Sequence, residues 1–268
     1  MLIGGRLHRL TPLIVCGRQR AGTRYVTNLL NSFPRVTLQG EIPNTVMEAM
    51  ERFLAEVDAF YEERAGLGEP RHEKQRRNWL RKKGPLIFAL WSSIGQDTFI
   101  PAHPECRYFG YKRPNNEHYF DLYEAAFEEK PPVYVFCVRN FADNYLSIKS
   151  RWRERTIEQV ADDYLASLNQ YARMSAAAPD RVLLVNLDDM KREGFSYFER
   201  RVVRPLGLKL NDERRAELSQ LGPVNRTEHD NAMPRRRTLD AAEQAYIQSR
   251  PELDAAFAAL CEADPGHD

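Results

Sequence analysis

Three short apolar runs punctuate the chain: Pro12–Cys16, Val133–Val138 and Val182–Leu187. None alternates polar with apolar, so each reads as a strand buried on both faces. Tyr25, Val26, Leu29 and Leu30 carry helical spacing over Thr23–Ser32, which Phe33-Pro34 stops. Val46, Met50, Phe53, Leu54, Val57 and Phe60 line one face of a helix over residues 45–65. Further helices are expected over Glu117–Glu128, from Phe141 to Arg155 and over Ile157–Ala176, and most of the chain beyond Leu187 reads as helical. Val36–Leu38, Leu86–Trp91 and Arg107–Lys112 read as short strands. Strands alternating with helices predict a three-layer α/β fold, a central parallel sheet with helices on both faces.

The 268 residues suit one such domain, 1–268, in which 42–106 is an insertion. At 43% hydrophobic and 29% charged the chain has globular proportions, and 39 Lys+Arg against 38 Asp+Glu leave no global basic field for nucleic acid. The longest apolar run is far short of a bilayer span, and the first 16 residues lack a small-residue cleavage site, so no signal peptide or membrane anchor is expected. Cys16, Cys106, Cys137 and Cys261 are widely spaced, which predicts reduced thiols and a cytoplasmic protein rather than disulfides or zinc.

The chemistry gathers where strands end. Gly17-Arg18-Gln19-Arg20-Ala21-Gly22-Thr23 joins a strand to a helix, the layout of a phosphate cradle built from loop amides and a helix N-terminus. Gly17 and Gly22 have the spacing of a GxxxxGKS/T loop, but Thr23 stands in place of its lysine and Arg24 in place of its metal-binding hydroxyl. The Val133–Val138 strand ends in Arg139, a base where a magnesium-dependent NTPase wants an acid. A phosphate-bearing ligand held by arginines without a metal fits better. Ser147 follows Arg139 by two helical turns and can face the same group; the plainer alternative is Arg139 paired with Asp143 and Ser147 bonded to its own backbone.

Taken together these units resemble the sulfotransferase family, in particular its bacterial and tyrosylprotein-type members. Arg20-Ala21-Gly22-Thr23 is similar to the family's 5′-phosphosulfate loop, usually Lys/Arg-Ser-Gly-Thr. Val138-Arg139-Asn140-Phe141-Ala142-Asp143 with Ser147 is similar to the 3′-phosphate motif VRdPrD…S. Phe109-Gly110-Tyr111-Lys112-Arg113-Pro114 resembles a "g-K-x-P" stretch, Gly40-Glu41 a "GE" pair, and Leu183–Met190 the "vlyEdL" segment. The departures are Ala21 for Ser, Asn140-Phe141 for Asp-Pro, and Leu187 where cytosolic members carry a tyrosine. The family's C-terminal basic loop has no clear counterpart; Arg226 or Arg235-Arg236-Arg237 are candidates.

The resemblance implies a P-loop-like sulfotransferase fold and transfer of a sulfuryl group from 3′-phosphoadenosine-5′-phosphosulfate (PAPS) to a hydroxyl or amine, leaving adenosine 3′,5′-bisphosphate, with no metal required. It assigns Arg20, Ala21, Gly22, Thr23 and Arg24 to the 5′-phosphate side and Arg139 and Ser147 to the 3′-phosphate. Glu41 becomes the general base, with Lys112 and Arg20 stabilising the charge that builds on the leaving oxygen. A histidine base, from His103 or His118, ranks below Glu41. Residues 42–106 would wall the pocket of a small-molecule, carbohydrate or peptide acceptor. Their basic stretch 71–83 would attract an anion or form a solvated face, with 66–85 a candidate lid. A homodimer is compatible with all of this. A magnesium-ATP-dependent kinase and a non-catalytic nucleotide-binding protein on the same fold are the rivals.

Overall fold

The computed structural model describes residues 9–94, 104–221, 236 and 238–262. The expected α/β architecture is present: five parallel strands in the order β2-β3-β1-β4-β5, with helices between them. The chain runs β1 (Thr11–Gly17), α1 (Thr23–Asn31), β2 (Val36–Gln39), α2 (Asn44–Ala65), α3 (Pro70–Ile94) and β3 (Tyr108–Lys112). A short 3-10 turn (Asn116–Tyr119) leads to α4 (Phe120–Ala126), followed by β4 (Val133–Val138), α5 (Phe141–Lys149), α6 (Ile157–Ala177), β5 (Val182–Asn186) and α7 (Leu187–Glu193). After α8 (Phe195–Phe198) the described helices are α9 (Asp212–Ser219), α10 (Ala241–Gln248) and α11 (Glu252–Glu262).

The chain divides into two compact units. The first takes the start of β1 to Ile14, residues 30–113 and residues 119–133. Its core is aromatic: Trp91 lies 4.7 Å from Tyr111 and 6.1 Å from Tyr123 between ring centroids, with Phe88, Phe109 and Phe127 alongside. Here α2 and α3 pair antiparallel. Asp58 accepts from Trp79 Nε1 at 2.6 Å and from Lys83 Nζ at 3.0 Å, and Glu62 takes Arg76 Nε at 2.7 Å. Arg77 lies 3.8 Å from Glu73 and Arg81 4.0 Å from Glu129, so several cations of the 71–83 stretch are spent on local carboxylates.

The second unit takes Val15–Leu29, Pro114–His118 and the chain from Tyr134 onward. Phe136 packs on Tyr171, and Phe141 on Tyr164. Helix α6 begins with a capping box: Gln159 N–H donates to Thr156 Oγ1 and Thr156 N–H to Gln159 Oε1.

Several boundaries differ from expectation, the Glu117–Glu128 helix among them, which is a 3-10 turn over 116–119 and a helix over 120–126. Leu86–Trp91 is not a strand but the end of α3, burying Ile87, Phe88 and Trp91 on one helical face. Within the 66–85 candidate lid, residues 66–69 connect two helices and Pro70 begins α3. Helix α5 ends at Lys149 rather than Arg155, because Lys149 Nζ donates to the Arg153 and Arg155 carbonyls and fixes the following residues as a turn. None of the four cysteines is in a disulfide. Among the described residues no helix is long and apolar enough to cross a membrane.

Candidate functional site

Strand β1 delivers the loop. Gly17 has φ +112°, and a Cβ there would run into the Cys137 backbone carbonyl, so only glycine fits. Ala21 N–H closes a turn onto the Arg18 carbonyl at 3.1 Å, with Arg20 at φ +68° and Gly22 at φ +96°. Helix α1 then starts at Thr23 with no acidic residue in its own first turn to occupy its N-terminal amides. Ala21 and Thr23 are buried, Arg20 is half-buried and Arg24 is exposed. The Asn144 side-chain amide donates to the Gln19 carbonyl at 2.8 Å and ties the loop to α5. A Cβ on Gly22 would lie 2.9 Å from Leu187 Cδ1, so Leu187 packs against the loop.

Arg20 and Ser147 meet directly: Nε donates to Oγ at 3.0 Å. Ser147 therefore answers to the loop. The plainer alternative does hold for Arg139, whose Nη2 pairs with Asp143 while Nε lies 3.5 Å from Asp188. Lys191 lies 3.0 Å from Asp188 and 3.5 Å from Asp143, so two cations and two carboxylates form one cluster. Partial burial works to raise the Asp143 carboxyl, but Arg139 and Lys191 outweigh it and hold the group below the usual aspartate range.

The Asn140-Phe141 departure has a local rationale. Asn140 caps α5 by accepting from Asp143 N–H at 2.9 Å, and its own N–H and side-chain amide donate to Asp188 at 2.8 and 2.7 Å.

In the first unit Glu41 and Lys112 form an ion pair across 71 residues. The β2–β3 register explains it: Gln39 lies opposite Tyr111, so Glu41 just past β2 emerges beside Lys112 at the end of β3. Glu41 is 56% exposed and Lys112 11%. His118 is exposed on its 3-10 turn. His103, Arg226, Arg235 and Arg237 lie outside the described residues. Arg236 is committed elsewhere: it donates to both oxygens of Glu243 at 2.6 Å and to Asp240 at 2.9 Å.

Sequence reasoning missed the residues behind the loop. Glu117, Asp163 and Ser167 contact its first two residues directly or through one another, and the Tyr164 hydroxyl donates to the Arg139 carbonyl at 2.8 Å. Only the helical face of α6 hinted at them.

The model of the sulfotransferase family matches residues 12–212. No curated protein matches the sequence. Among solved structures, the sulfotransferase domain from the Synechococcus PCC 7002 olefin synthase aligns with a TM-score of 0.55 at 17% identity, covering 93% of this chain and 95% of that one. Sulfotransferase STF9 from Mycobacterium avium aligns at TM-score 0.52 and 16% identity, over 95% of this chain and 76% of that one. Mouse sulfotransferase SULT7A1, complexed with PAP, aligns at TM-score 0.52 and 12% identity, over 98% and 90%. Identities this low speak for the fold.

Proposed function

Since the chain belongs to the sulfotransferase family, we propose that it acts as a single sulfotransferase domain that moves a sulfuryl group from PAPS to a hydroxyl or amine of a small-molecule, carbohydrate or peptide acceptor. The observation that carries this reading is the Arg20–Ser147 hydrogen bond, because it puts the loop motif and the Arg-to-Ser motif at one place. The residues fit the nucleotide chemically: a glycine-bounded loop and an acid-free helix start suit the 5′-phosphate, and Arg139 with Ser147 suits the 3′-phosphate. When bound, PAPS supplies the sulfuryl group and leaves as adenosine 3′,5′-bisphosphate.

In this reading Arg20 neutralises charge on the leaving phosphate, while Ala21, Gly22 and Thr23 offer backbone amides and Arg24 adds a second cation. Arg139 exchanges its Asp143 partner for the 3′-phosphate, and Ser147 donates its hydroxyl there. Glu41 takes the acceptor's proton, and Lys112, already its ion-pair partner, meets the bridging oxygen. Neither step calls for a metal. Four cysteines outside any disulfide suit a reducing cytoplasm.

Thermal unfolding with adenosine 3′,5′-bisphosphate against magnesium-ATP at equal concentration tests the nucleotide class. A ligand at about 100 times its Kd adds about 2.7 kcal/mol to native stability. A shift with the bisphosphate alone supports the reading, and a shift with magnesium-ATP alone supports a kinase. Radiolabelled sulfuryl transfer to an acceptor panel then separates an enzyme from a non-catalytic binder.

A further inference from the structure

Glu117 is 0% exposed, and its carboxylate oxygens take two neutral donors. Gly17 N–H reaches Oε2 at 2.8 Å, and the Ser167 hydroxyl donates to Oε1. Full burial of an acid is costly unless its oxygens are hydrogen-bonded. Here the bond falls on the amide that opens the phosphate loop. The Gly17 carbonyl is held as well, by Asn115 N–H at 2.9 Å, with Asn115 itself in the left-handed region at φ +62°. Segment 115–117 thus grips Gly17 at both of its backbone polar groups.

Helix α6 stands behind this grip. Ser167 holds the Glu117 carboxylate, and the Gln170 side-chain amide donates to the Glu117 carbonyl at 3.0 Å. Asp163 accepts from Arg18 Nη2 at 2.7 Å, where the Arg18 side chain is only 6% exposed. Positions 163, 167 and 170 recur at helical spacing, so one face of α6 sets Gly17 through Glu117 and Arg18 directly.

We propose that Glu117 is the positioning residue of the phosphate loop: it transmits the fixed face of α6 to the Gly17 amide and so keeps the loop amides aimed at the nucleotide's 5′-phosphate. This rests on the nucleotide reading above. A carboxylate behind the loop opposes an anion in front of it, so its contribution is geometry rather than field. Glutamine can keep both bonds, accepting from Gly17 through Oε1 and donating to Ser167 through Nε2. Leucine fills the space and keeps neither.

The test measures calorimetric affinity for adenosine 3′,5′-bisphosphate and for adenosine 3′-monophosphate, together with amide hydrogen exchange over residues 17–23 without nucleotide. Glu117→Leu is expected to weaken the bisphosphate about tenfold, the equivalent of one lost buried hydrogen bond. It should leave the 3′-monophosphate unchanged and speed exchange in the loop. Glu117→Gln should bind the bisphosphate as tightly as the wild type or tighter, with native exchange. Wild-type affinity and exchange in Glu117→Leu overturn the proposal, as does equal loss with both ligands or in both variants. If Glu117→Leu fails to fold, Ser167→Ala is read instead: faster loop exchange supports the proposal and native exchange overturns it. A wild-type protein that ignores the bisphosphate sinks the nucleotide reading, while the exchange comparison still decides whether Glu117 sets the loop.

Discussion

Arg20 donates through Nε to Ser147 Oγ at 3.0 Å, joining residues 127 positions apart. The left-handed backbone at Arg20, φ +68°, aims a loop side chain at α5, while Ser147 stands two turns from the cap of that helix. Groups in direct contact do not contribute independently. Ser147→Ala should weaken adenosine 3′,5′-bisphosphate about tenfold and Arg20→Ala by more, each about the size of a lost charge-assisted hydrogen bond. The double variant should lose less than the two single effects combined. Binding calorimetry on the four proteins checks this; strict additivity would mean that the Arg20–Ser147 contact contributes nothing to nucleotide binding.

Glu41 and Lys112 form an ion pair placed by the β2–β3 register. In the proposed chemistry Glu41 acts on the acceptor and touches no nucleotide atom, while Lys112 meets the nucleotide's bridging oxygen. Glu41→Gln should therefore reduce sulfuryl transfer by about 10²–10⁴-fold, the usual range for a general base. Bisphosphate affinity should stay within about twofold of wild type. Lys112→Met should behave alike in transfer. A Glu41→Gln protein with undiminished turnover would move the search for the base elsewhere, His118 being the first residue to examine.

The strands that carry the site were readable because β1, β4 and β5 are buried on both faces and so are continuous apolar runs. Helix α2 was readable from its apolar spacing, although Phe53 and Phe60 of the expected face are exposed. Leu86–Trp91 was not: a short apolar run has no period of its own, and Pro85 before it imitates a strand boundary although α3 carries that proline inside it. The loop and the Arg139–Ser147 spacing were legible because their chemistry is local. Glu117 was not, since its setting is a polar turn, Asn115-Asn116-Glu117-His118. Its burial comes from Gly17 and Ser167, at 100 and 50 residues' distance.

The two loop glycines should fail differently. At Gly17 a methyl group meets the rigid Cys137 carbonyl and the backbone is at φ +112°, so Gly17→Ala should cost about 3 kcal/mol or more. At Gly22 the obstacle is the end of the Leu187 side chain, 2.9 Å from an added Cβ, which can turn aside. Gly22→Ala should cost about 1–2 kcal/mol, mainly from the left-handed backbone. Adding Leu187→Ala should relieve the contact without restoring wild-type stability, because the backbone strain remains and a leucine is truncated. Urea unfolding midpoints rank the three proteins.

Acid should loosen the docking of α10 before it harms the neutral core. Glu243 accepts from Tyr145 Oη at 2.6 Å, from Arg236 at 2.6 Å and from Asp240 N–H at 3.0 Å. Burial works to raise its carboxyl, but these hydrogen bonds outweigh it and hold the group below the glutamate value of 4.5. A carboxyl with a depressed folded pKa binds fewer protons in the folded state than in the unfolded one, so its stabilisation is complete above 4.5 and is lost as the pH falls through the folded value. Glu243→Gln should lower the unfolding free energy at pH 7 by roughly 2 kcal/mol, since it removes the charge that Arg236 and Tyr145 meet. The variant's curve should also be flatter between pH 5 and pH 3 than the wild type's, and the two should converge at the acid end. Denaturant titrations across that range decide it; parallel curves would mean that Glu243 titrates alike in both states.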